Sequence, residues 1–180
     1  MWTGLFGFVN VLAMGAWLML AFLPRKPLVH SVILYLGVAM LCLVYTVCFA
    51  LVMTGQLDPA AMPGAGKPGF GSLEGVQAIF QSQGGALIGW THYLAFDLFT
   101  GLWISRDADA KAFSRPVQLP FLLATFMAGP IGLFFWLIVR ERRARATGRG
   151  WFVLPACWSA ASARCSSPSI RGLASRTRRC

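Results

Sequence analysis

One carboxyl group stands inside an apolar run. Asp97 lies within GGALIGWTHYLAFDLFTGLWI, residues 84–104, a stretch long enough to cross a bilayer. An ionisable group at that depth costs roughly 2.5–3.5 kcal/mol on insertion scales, so it is normally paired, hydrated or put to use. The same run holds His92, one of two histidines in the chain. A carboxyl and an imidazole are the parts of general acid–base chemistry, and they name the first candidates for catalysis, Asp97 and His92. Three roles stand open for Asp97. It is a structural acid bonded to Tyr45, Asn10 or a carbonyl freed near Pro130, an acid or base acting on a lipid-soluble substrate, or a proton or cation site in a carrier.

On a helix, residues four apart share a face. Tyr93, Asp97 and Gly101 therefore line up, with Trp90 a turn further back. His92 sits about 140° around the axis from Asp97, on the face of Phe96, Phe99 and Trp103. The two are not a hydrogen-bonded pair within the helix, but they can flank one cavity or meet different neighbours. Trp90, Tyr93 and Trp103 are the rings a substrate would meet there. Arg106 and Asp107, at the water boundary, could dock a headgroup or the polar end of a substrate, or form a salt-bridged cap with Asp109.

The elements that must position these residues are apolar segments. The chain has 180 residues, 57% hydrophobic and 12% charged, with a mean hydropathy of +0.63. Four segments, about 4–23, 28–53, 84–104 and 117–139, approach or exceed the ~20 residues that span a bilayer. Their continuous apolarity excludes an alternating spanning strand. The expected fold is all-α: a polytopic membrane protein with four transmembrane helices in one small bundle over residues 1–145. The first segment lacks a basic leader and ends in Pro24-Arg25-Lys26, so it reads as a retained span. Its Asn10 can bond across helices. His30, at the entry to the second segment, reads as a solvated interfacial residue.

Between the second and third segments lies a glycine- and proline-rich connection, then SLEGVQAIFQSQGG. Leu73, Val76, Ile79 and Phe80 fall at helical spacing, with Ser72 as N-cap and Gly84-Gly85 as the stop. This predicts a short amphipathic helix over about 72–82, lying on the membrane or over the bundle mouth. In the fourth segment Pro130 predicts a kink, and Gly129 and Gly132 permit a close helix contact. Gly101, Gly129 and Pro130 are thus the structural candidates.

The net charge of +10 does not point to nucleic acid, because 10 of the 16 basic residues lie at or beyond Arg140. RERRARATGR reads as a cytoplasmic flank against anionic headgroups. With four spans, both termini and the 54–83 connection share one side. Basic residues close to the spans then nearly balance, and the Arg140 cluster tips the termini inside. Five cysteines form neither a CxxC motif nor a Cys/His cluster, and two histidines are too few for a histidine cage, so no metal and no cofactor are expected. Residues 146–180, basic and without periodicity, read as a disordered tail.

GWTHYLAFDLFTGLWISRDA, residues 89–108, with GPIGLFF, residues 129–135, resembles the abscisic-acid-deficient four family, also called neoxanthin-synthase-like. The specific part is the W-x-H-x-L-A-x-D-L-F core: Trp90, His92, Leu94, Ala95, Asp97, Leu98 and Phe99. The resemblance covers about residues 5–140. It implies a four-span membrane protein and, from the plant members, conversion of violaxanthin to neoxanthin. That reaction opens an epoxide and removes a proton to form an allene, without net redox change. Asp97 and His92 are the residues that could protonate the oxygen and take the proton. The expected function is action on, or binding of, a carotenoid or other isoprenoid, as an isomerase-type enzyme or an accessory protein. A small proton-coupled transporter and a structural or assembly protein are the alternatives. The expected partners are membrane lipid and such an isoprenoid, and the expected site is a bacterial inner membrane.

Overall fold

The computed structural model describes residues 1–56 and 69–146, and its regular structure is helical throughout. Residues Met1–Glu141 form one unit. Of the second, Arg142–Cys180, only the last turn of a helix is described. The expected tail and most of the glycine-rich connection lie outside the described residues.

Helix α1 runs from Trp2–Phe22. A short stiff turn through Pro24 follows, and Pro27 opens the next helix at a position where its missing N–H costs nothing. That helix is continuous over Pro27–Met53. It comprises α2 (Pro27–Val32), a π-helical stretch (Ile33–Ala39) and α3 (Met40–Met53). These two helices, Trp2–Phe22 and Pro27–Met53, are long and apolar enough to cross a membrane. Gly37, in the π-helical stretch, lets Ala16 and Leu98 approach closely, and a Cβ there would meet both at 3.1 Å.

The amphipathic helix expected at 72–82 is α4, Leu73–Gln81. Ser72 caps it, accepting from the Gly75 amide at 3.1 Å. Gly84-Gly85 do not stop it. Ser82 does, donating to the Ile79 carbonyl at 3.1 Å, and the same hydroxyl starts the next helix by accepting from the Gly85 amide at 2.9 Å. Gly84 and Gly85 lie in the first turn of α5 (Gln83–Ala110), where a Cβ on Gly85 would overlap the Ile79 carbonyl. Helix α5 packs against α1, α3, α4 and α6 and is the axis of the fold. Its length suffices for a crossing, but His92 and Asp97 dilute its hydropathy.

The fourth apolar segment departs from expectation. It is not one kinked helix but two, α6 (Arg115–Met127) and α7 (Gly129–Ala146), reversing at Ala128. The Phe121 and Trp136 rings lie 5.4 Å apart, and a Cβ on Gly132 would overlap Thr125. Residues fifteen apart on one helix would sit about 22 Å apart. The segment therefore folds as a helical hairpin whose tip stops midway along α5. Pro130 does not kink a helix; it sits in the first turn of a new one.

His30 also differs from expectation. It is buried rather than solvated, with Nε2 3.1 Å from the Ser105 hydroxyl. The interior carries Thr91, Asp97, Ser105, Gln118 and Thr125 among its apolar residues, while Val11, Phe22, Tyr35, Leu36 and Phe134 are exposed. Large apolar side chains thus point outward on each long helix.

Candidate functional site

The residues singled out along α5 separate into three places. The first is the hairpin tip. Reversal at Ala128 frees backbone groups that no helix satisfies, and buried orphans of that kind are costly. Helix α5 supplies their partners. The Tyr93 hydroxyl donates to the Met127 carbonyl at 3.1 Å. The Gly129 amide reaches the Asp97 carboxyl, and the Tyr93 hydroxyl stands beside it with its proton turned to Met127. Ala128 closes the turn, its amide donating to the Ala124 carbonyl at 2.8 Å and its carbonyl accepting from Ile131 at 2.9 Å. Asp97 thus caps the N-terminus of α7 from outside it, where the helix dipole favours a carboxylate. Contact is so close that a Cβ on Gly129 would overlap the carboxyl. Asp97 Oδ2 is buried and has no partner among the described residues.

The second place is a pocket on another face of α5. A cavity of about 500 Å³ lies between α3, α4 and the first half of α5. Val52, Met53, Phe70, Val76, Ile79 and Ile88 supply apolar walls, and His92 and Tyr45 stand together in its lining. The His92 ring lies 5.5 Å from Tyr45 and 4.6 Å from Phe96. Asp97 does not line this pocket. The structure therefore gives His92 and Asp97 different neighbours, one of the two arrangements the helix geometry left open.

The ABA DEFICIENT 4-like family matches residues 4–136, well over half of the chain and inclusive of both places. The chain belongs to that family. Neither a curated protein nor a solved structure matches it.

The third place is the far end of α5, where the ABA DEFICIENT 4-like match reaches Trp136. Asp107, beyond the apolar run, gathers three donors. Arg140 reaches its two oxygens at 2.7 and 2.8 Å, Lys111 donates at 2.7 Å, and Trp136 Nε1 at 3.0 Å. Burial alone would push this carboxyl up; the hydrogen bonds and charges of Arg140 and Lys111 outweigh it and hold Asp107 below its ordinary range. Arg140 also lies over the Trp103 ring, 5.2 Å from its centroid. Nearby, Arg25 binds Asp109 at 2.9 Å, the Phe113 carbonyl at 3.0 Å and the Gln118 side chain. Asp107 and Trp103 thus tie α7 to α5. Arg106 is exposed beside them.

Trp90 belongs to none of the three. It donates to Asn10 at 3.1 Å, the cross-helix bond expected of that asparagine, and rests between Phe6 and Tyr93. Gly101 opens room for the Trp17 ring, which a Cβ would overlap. Sequence reasoning missed Ser105, Gln118 and Trp136, and read Arg140 only as the start of a headgroup-facing flank rather than as a partner of Asp107. Trp136 and Arg140 carried a readable signal, since they lie four apart on one face of a helix with Asp107 as their common target. Among the described residues no cluster of His, Cys, Asp and Glu could hold a metal.

Proposed function

We propose that this ABA DEFICIENT 4-like protein is integral to a membrane and binds a lipid-soluble isoprenoid, such as a carotenoid, in the pocket beside His92. The observation that carries the reading is the pocket. Its volume is in the range of small-molecule sites, its walls are apolar, and its polar groups are few. An isoprenoid needs that combination: a long apolar cradle and one or two donors for a ring substituent. Support for the membrane comes from the two long apolar helices and from the large apolar side chains exposed on every long helix.

In this reading α1, the Pro27–Met53 helix and α5 cross the bilayer. The α6–α7 hairpin enters and returns. A non-helical backbone at that depth is tolerated only where protein satisfies it, and Asp97 and Tyr93 do so. Asp97 then holds the fold, and His92 and Tyr45 meet the ligand. Acid–base isomerisation by His92 and Asp97 acting on one bond is not favoured, because Asp97 packs against Gly129 and does not line the pocket that holds His92. An accessory or carrier role for the isoprenoid, or catalysis through His92 with a second protein, fits the geometry better. A proton-coupled carrier is the second reading, favoured by the unpartnered Oδ2 of Asp97.

The test is lipid extraction from purified protein, with mass spectrometry of what co-purifies. Ile88→Trp would fill the pocket and should strip the bound isoprenoid while leaving thermal stability nearly unchanged. No isoprenoid on the wild-type protein, together with unaltered pigment and isoprenoid profiles in a deletion strain, would refute the reading.

A further inference from the structure

The hairpin changes how the chain's charge is distributed. Helix α1 starts beside the first half of α5, with Asn10 on Trp90, and ends where Arg115 reaches the Phe22 and Leu23 carbonyls. The Pro27–Met53 helix returns, passing His30 at Ser105 and Tyr45 at His92. Helix α6 leaves the end marked by Arg115 and turns midway, and α7 returns to it, bringing Arg140 onto Asp107. A fourth crossing would have carried Arg140 to the opposite end. The hairpin instead gathers Arg25, Lys26, Arg106, Lys111, Arg115 and Arg140 at one end of the bundle. The opposite end, which holds Met1, Met53 and α4, carries no Lys or Arg among the described residues.

We propose that the basic end is an interaction surface for the anionic headgroups of the cytoplasmic leaflet, and that the pocket is reached from the opposite leaflet. The inference rests on the membrane reading above. Orientation follows the bias of Lys and Arg close to the spans, with Asp and Glu counting little. Among the described residues that is six basic residues against none, and Lys67, in the connection between Met53 and α4, adds one to the opposite side in the full sequence, where four crossings gave near balance. Lys26 and Arg106 are exposed at this end, and the sequence run RERRARA continues from Arg140. Arg25, Lys111 and Arg140 are partly engaged by Asp109 and Asp107, which fixes the surface in shape without cancelling its sign. Anionic headgroups attract such a juxtamembrane cluster. The N-terminus and the basic end then lie on opposite sides of the membrane, and a ligand enters from the leaflet that α4 covers.

The test is cysteine labelling of the full chain in spheroplasts, in a background with the native cysteines replaced by serine. Thr3→Cys reports the N-terminal end and Ala110→Cys the basic end. A membrane-impermeant maleimide should label position 3 in intact spheroplasts and position 110 only after lysis. The reverse pattern would overturn the orientation, and labelling of both positions from one side would overturn the three-crossing path. Retention in the membrane pellet after alkaline carbonate is measured in parallel. Its loss would sink the membrane reading itself, whereas retention with reversed labelling sinks only the orientation.

Discussion

The Asp97 carboxyl lies against the backbone of Gly129, bonded to its amide and too close to admit a side chain there. This contact accounts for a charged residue type in an apolar helix. A chain that reverses inside a bundle must satisfy its own turn, and Asp97 does so from the neighbouring helix.

Gly129→Ala should destabilise the protein. The new methyl must displace a buried carboxyl, and overpacking of that kind costs about 1–3 kcal/mol. Thermal unfolding of the detergent-purified variant should show a clearly lower Tm. An unchanged Tm would mean that the tip is looser than its geometry implies.

Asp97→Asn and Asp97→Leu should part company. Asparagine keeps an acceptor for the Gly129 amide. Leucine leaves that amide buried and unpaired, at a cost of about 1–3 kcal/mol. The expected order of Tm is wild type, then Asn, then Leu. Bound isoprenoid should persist in Asp97→Asn, since Asp97 does not line the pocket. Its disappearance with Tm intact would return Asp97 to the candidates for direct action on the ligand.

His92→Phe preserves a ring against Tyr45 and Phe96 but removes the polar nitrogens. Folding should be little affected. Affinity for an isoprenoid bearing a ring hydroxyl should fall by several-fold to about tenfold, the value of one hydrogen bond of about 1 kcal/mol. An isoprenoid hydrocarbon should bind equally well to both proteins. Titration of each ligand in detergent measures the contrast.

Stability should decline in acid through Asp107. Its carboxyl is held below the ordinary value near 4, so folding favours the ionised form. The stabilisation is fully present above the unfolded-state value and is lost as pH falls through the lower folded-state value. Tm should therefore hold from neutrality to about pH 5 and drop below about pH 4. Asp107→Asn should start from a lower Tm and flatten that drop. An equally steep acid decline in the variant would assign the effect elsewhere.

Much of this was legible in the residues. Ser72 with Leu73, Val76, Ile79 and Phe80 marked α4, because a cap and an apolar stripe are local properties. Asn10 was expected to bond across helices, and it bonds Trp90. The motif around His92 and Asp97 identified the family. The hairpin was not legible. Ala128 breaks an apolar run without a polar marker, and Pro130 suits a kinked helix and the first turn of a new one equally well. Only the partners on α5 decide between them, and they lie about thirty residues away in sequence. His30 was misread for a similar reason: the proline-rich turn beside it suggested water, while Ser105 sits 75 residues further along.

The Ser82 hydroxyl carries one more consequence. It ends α4 and begins α5 at once, so the roof of the cavity and its longest wall share a single welded elbow. Swinging that roof open toward water would strain both bonds of the Ser82 hydroxyl. If the protein spans a membrane as proposed, traffic into the cavity is lateral, from the bilayer. In that reading selection falls first on molecules already dissolved in the membrane, before His92 touches any of them.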